Sequence, residues 1–161
     1  MKTLKWMMLF MAVATMPLFT NCSKDDDDKT SADVSGIYTG KIANASGEND
    51  TTAELAKSDT NYSLSLKDLK ISAMGGMDLA IGDVTIPNVT VSNGKLSGGN
   101  ETSVEVSLPP ALAGMNGGVA DATFKVSLKS GNVSDNNLKF TLTIDNIPKM
   151  GSIDVNFNGN K

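Results

Sequence analysis

The chain has no histidine, no arginine and a single cysteine, Cys22. Its aromatics are equally sparse: Trp6, Phe10 and Phe19 fall at the very start, leaving Tyr38, Tyr62, Phe124, Phe140 and Phe157 for the rest. Each absence removes a class of function. Without histidine, the commonest general base and the commonest zinc ligand are missing, and no Ser-His-Asp triad can be built. One cysteine allows no disulfide framework and no thiolate metal cluster. All 14 cationic residues are lysines, scattered without a basic stripe, which argues against a nucleic-acid partner. Any catalyst would have to work with Asp, Glu, Lys, Ser, Thr or Tyr alone. The expectation is a non-enzymatic protein with no cofactor and no metal.

The N-terminus carries the strongest local signal. Lys2 and Lys5 precede an apolar run from Trp6 to Phe19, broken only by Thr15 and Pro17. This is the pattern of a secretory signal over residues 1–21, too short to cross a bilayer comfortably. Leu18-Phe19-Thr20-Asn21-Cys22 places the cysteine at its end and resembles the lipobox of bacterial lipoproteins. That resemblance implies lipidation of Cys22 and a membrane anchor. Cys22-Ser23-Lys24-Asp25-Asp26-Asp27-Asp28 resembles the lysine-then-acidic export signal of surface lipoproteins in some Gram-negative bacteria. Lys24, Asp25 and Asp26 would then direct the protein to the outer face of the outer membrane. Physically the same run is a solvated tether over residues 22–33, because clustered carboxylates repel and resist burial.

Residues 34–161 are long enough for one domain with a core of its own. Apolar and polar residues alternate there with the period of two that marks half-buried strands. Tyr62, Leu64 and Leu66 alternate with Ser63, Ser65 and Lys67, and Leu138, Phe140, Leu142 and Ile144 with Lys139, Thr141 and Thr143. The face begun by Val84 and Ile86 resumes out of step at Val89 and Val91, which predicts a bulge at Pro87-Asn88. No stretch holds a helical period; Ala53–Lys57 comes nearest, and its β context outweighs it. About eight antiparallel strands joined by turns are predicted, closed into a barrel or folded as a β-sandwich.

Three segments carry a family resemblance: Leu64-Ser65-Leu66-Lys67-Asp68-Leu69, then Ile81 to Val89, and Ile153-Asp154-Val155-Asn156-Phe157-Asn158-Gly159. Together they resemble the calycin-like β-barrel domain of small bacterial surface lipoproteins. Gly36-Ile37-Tyr38 stands where lipocalins carry Gly-x-Trp at the base of the barrel. The resemblance implies an eight-stranded up-and-down barrel, a size that either fills with side chains or encloses one small ligand.

Two loops are apolar and rich in glycine: Ala73-Met74-Gly75-Gly76-Met77 and the stretch from Pro109 to Gly118. Met74, Met77, Leu112 and Met115 form a candidate rim for an apolar or amphipathic ligand, since methionine adapts its shape to what it touches. The same loops could instead fold back and plug the barrel. Asp68, Asp78 and Asp83 could be read as paired carboxylates of the glycosidase kind, but beside turns or on polar strand faces they read as ordinary surface groups. Asp50-Thr51-Thr52 resembles a bacterial O-glycosylation site. The preferred reading is a lipid-anchored barrel that binds a small apolar or amphipathic molecule. Docking onto a surface protein is the alternative, and hydrolysis of lipid or glycan a remote third.

Overall fold

A computed structural model describes residues 33–73 and 77–161. The alternating segments form nine strands: β1 (Gly36–Asn44), β2 (Gly47–Ser58), β3 (Asn61–Ser72), β4 (Asp78–Ser92), β5 (Lys95–Gly98), β6 (Thr102–Ser107), β7 (Asp121–Val133), β8 (Asn137–Ile147) and β9 (Gly151–Asn160). One short helix, α1 (Pro110–Met115), joins β6 to β7. Every pairing is antiparallel, and β1 lies between β2 and β9, so the first and last strands meet.

The nine segments occupy eight positions in a closed barrel. β5 and β6 run in the same direction and both pair with β7, so they are two halves of one broken strand. The break falls at Gly98 and Gly99, whose φ values of 69° and 94° suit glycine and few other residues. β4 bridges it: Thr102 Oγ1 donates to Thr85 C=O at 2.6 Å, and Asn100 N–H to Pro87 C=O at 2.9 Å. The last seam is short, two β5–β7 residue pairs plus the Val133 N–H donated to Gly94 C=O at 2.7 Å. The barrel, and not the sandwich, is the solution.

The Pro87-Asn88 bulge is present, with Asn88 at φ 60° and a register shift against β3. A second bulge brings Asp68 (φ 47°) opposite Asp83, which accepts the Asp68 N–H at 3.0 Å. Ala53–Lys57 lies within β2, while the helix stands at Pro110–Met115, in a stretch expected to be loop. Pro110 opens α1 with φ already helical, but six residues leave no period to read.

Inward positions form one continuous apolar core, from Tyr38 and Ile42 on β1 to Val155 and Phe157 on β9. Tyr38, Tyr62, Phe140 and Phe157 occupy the half where β1 begins and β9 ends. There Phe140 and Phe157 stack with ring centroids 4.8 Å apart. The opposite half is aliphatic apart from Phe124, and is filled by residues such as Ile71, Leu79, Ile81, Leu108 and Ile147.

Candidate functional site

Antiparallel order decides which loops share an end. β1 begins at the base, so the base also carries the 59–60, 93–94 and 134–136 turns and the C-terminal Lys161. The distal end carries the 45–46 turn, the connection bounded by Ala73 and Met77, the α1 connection and the 148–150 turn. Both glycine-rich methionine loops therefore meet at one end, opposite the point where the chain enters the barrel. Strands of about twelve residues, tilted as barrel strands are, separate the ends by roughly 30 Å.

At the base, Gly36 opens β1 and Tyr38 is the first of its inward residues. Tyr38 is fully buried, and its hydroxyl donates to Val34 C=O at 2.6 Å. Lys161 Nζ lies 5.2 Å from the centre of the Tyr38 ring. Nothing in the sequence marks Lys161 for this place, because β1–β9 pairing is what brings it there.

The predicted rim residues divide. Leu112 is buried to 1% exposure and belongs to the core, the one α1 side chain to do so, and thus fills the barrel mouth. Met115 on the same helix is 44% exposed, Val119 beyond it is 55% exposed, and Met77 is half-buried. Met74, like Cys22, Lys24, Asp25 and Asp26, lies outside the described residues. Two residues not anticipated, Val119 and Met150, join the distal surface. Met150 lines an open cleft of about 340 Å³ with Asn44, Ala45, Ser46, Ile153 and Asp154. By contrast, the crevice between Ile42, Ile71 and Val155 admits no water.

The α1 connection is lightly built. Its helix has no side-chain cap, no acidic residue in its first turn and no basic one in its last. Gly117 and Gly118 follow at φ 72° and 86° in open space. Asn116 N–H donates to Leu112 C=O at 2.9 Å, and Gly118 N–H to Ala113 C=O at 2.9 Å. A six-residue uncapped helix has little stability of its own, so burial of Leu112 is the main force holding it down.

Among the described residues, Asp68, Asp78 and Asp83 do not form a glycosidase-type pair. Asp83 is exposed, and its carboxyl is held below the usual carboxylate range, first by the Asp68 N–H and then by Lys67. That is the wrong direction for a general acid. Asp78 accepts the Ser72 hydroxyl at 3.4 Å. Among the described residues, no cluster of three or more Asp and Glu side chains could hold a metal ion. None of their helices is long and apolar enough to cross a membrane. Thr51 is 8% exposed within β2, and its hydroxyl lies 3.5 Å from Lys67 C=O, which leaves it poorly placed for glycosylation.

Comparison with known proteins gives one family and one fold neighbour. The model of the calycin-like beta-barrel domain matches residues 34–160. A crystal structure from Bacteroides fragilis, of a protein provisionally assigned to the outer membrane, is similar in fold at a TM-score of 0.49 and 22% identity. The alignment covers 80% of this chain but only 51% of that one, so the chain spans about half the length of its neighbour. No curated protein matches the sequence. With its barrel closed and a family match covering nearly all of it, the chain belongs to the calycin-like β-barrel domain family.

Proposed function

We propose that the protein is a lipid-tethered, non-catalytic binding module that takes a small apolar or amphipathic molecule at the distal end of its barrel. One observation carries this reading: the two methionine- and glycine-rich connections share the end opposite the start of β1, over a half-barrel that is aliphatic apart from Phe124 and into which α1 buries Leu112. Methionines beside an apolar mouth suit a ligand that is hydrocarbon at one end. With the core filled, such a ligand sits on the rim or takes the place of Leu112. An anchor at Cys22 would join the barrel through residues 23–33 at the end where β1 begins, opposite the rim.

The test is native mass spectrometry of the mature chain purified from its host. A co-purifying small molecule that is lost when Met77 and Met115 are replaced by serine supports the reading. Apo protein only, combined with no response to a fluorescent fatty acid, removes it. Exposure of Met115 and Val119 favours a second reading, in which the same end grips a protein partner. Photocrosslinking from position 115 to a defined protein in intact cells would select that one. The address is tested separately. Cys22→Ser should release the protein from membranes, and alanine at Lys24, Asp25 and Asp26 should protect it from protease added to intact cells.

A further inference from the structure

The outer face of the barrel near its base carries an ordered polar surface that sequence distance conceals. Strand register aligns Ser92, Lys95, Asn132, Lys139, Asn158 and Lys41 in one row across β4, β5, β7, β8, β9 and β1. Next to it, Ser130, Thr141 and Asn156 align in a second row of hydroxyls and an amide. Two clefts, of about 280 and 540 Å³, open on this face and share Ser130, Gly131 and Asn132, so they form one groove. Among the described residues, no carboxylate lines either cleft.

The groove presents donors. Asn156 Oδ1 accepts from Thr141 Oγ1 at 2.7 Å, and Asn158 Oδ1 from Asn137 Nδ2 at 3.3 Å. Each amide thus has its oxygen engaged across the strands and its NH₂ group left to offer. Lys41, at the end of the row, is paired with Glu48. Among the described residues, Lys95 and Lys139 have no such partner. They stand two strand steps apart, roughly 10 Å, with Asn132 between them. That interval is close to the length of a disaccharide.

We propose that this groove binds a linear acidic glycan, with Lys95 and Lys139 meeting carboxylates on alternate sugars and the amides and hydroxyls meeting ring oxygens and hydroxyls. The lining selects this class. A single-stranded nucleic acid would use exposed aromatic platforms and arginines; the chain has no arginine, and the two aromatics of the lining, Phe140 and Phe157, are 3% and 2% exposed, with their rings turned into the core. Among the described residues, no exposed apolar side chain lines the clefts beside the lysines to enter a lipid surface. The site is independent of the distal rim, and neither reading requires the other.

The test is calorimetric titration of the full mature chain with polygalacturonate, with dextran as the neutral counterpart. Binding to polygalacturonate but not dextran is expected, weakening as salt rises. K95A together with K139A should reduce affinity about tenfold, the size expected of two exposed charge contacts. N156A with N158A, which leaves the charge unchanged, should also weaken binding, separating recognition from bulk attraction. All four positions are exposed, and an unchanged melting temperature confirms that each variant is folded. Absence of polygalacturonate binding, or affinity untouched by both pairs, overturns the proposal. So does binding only to phosphatidylglycerol vesicles, lost with the same lysines, which would assign the surface to lipid.

Discussion

Replacing Leu112 by alanine separates a cover from a structural wall. Burying a leucine is worth about 2–3 kcal/mol. Against that, an uncapped six-residue helix carrying an interior glycine gives back about 1 kcal/mol or more. Docking of α1 is therefore worth only about 1–2 kcal/mol. That figure bounds the damage, because a chain that can no longer dock α1 keeps its strand pairs. Leu142 provides the contrast: fully buried on β8 between Leu128 and Val155, it has no local escape. Leu142→Ala should cost about 2.5–5 kcal/mol by urea unfolding, and Leu112→Ala no more than about 2 kcal/mol. Hydrogen exchange locates the difference. The Asn116 and Gly118 amides, bonded back to Leu112 and Ala113, should already exchange by local opening in the wild type and lose protection in the variant. Strand amides should be unaffected. Equal losses for the two variants, with Asn116 and Gly118 exchanging only on global unfolding, would refute the idea that α1 is a cover.

Other perturbations follow from the same geometry. Gly114→Ala, at a helical position with open space around it, should stabilise α1 by up to about 1 kcal/mol and slow exchange at Asn116. If α1 covers the mouth, it should also weaken uptake of a fluorescent fatty acid. A side chain at Gly40 would overlap the backbone of Asn158 and Gly159, so Gly40→Ala should open the β1–β9 seam and cost more than about 3 kcal/mol in urea. Tyr38→Phe leaves the buried Val34 carbonyl without its donor and should cost about 1–2 kcal/mol, read as a lowered melting temperature. Asp83 has a depressed folded pKa, so its contribution is complete above the unfolded value near 4 and disappears as pH falls through the folded one. The urea midpoint of Asp83→Asn should lie below that of the wild type at pH 7, and the gap should close in that acid range.

What the sequence made legible was what a single strand can state about itself. Leu138 to Ile144 alternate without fault because one face is wet and the other dry, and the slip at Pro87-Asn88 shows as a change of phase. β5 escaped notice because four residues holding only Leu96 carry no pattern. α1 escaped because Pro109, Pro110 and the later glycines read as loop, although a proline at the first helical position is also a helix start. The distal rim was half legible: methionine and glycine marked the loops, but only strand direction shows that the loops share an end. The polar groove was not legible at all. Lys95 and Lys139 become neighbours through register, which no local pattern encodes.

The meeting of β1 with β9 also sets when the molecule can exist. Its first strand stays an open edge until its last has been synthesised, so most of the chain must be made before the ring can close. Contacts between residues so distant in sequence make folding slow. Until the ring closes, the chain remains an unclosed, threadable polymer. The same delay leaves β1 exposed to pairing with the edge of another copy. Closure by the last strand therefore makes this barrel a late folder, finished only once its two ends are both in hand.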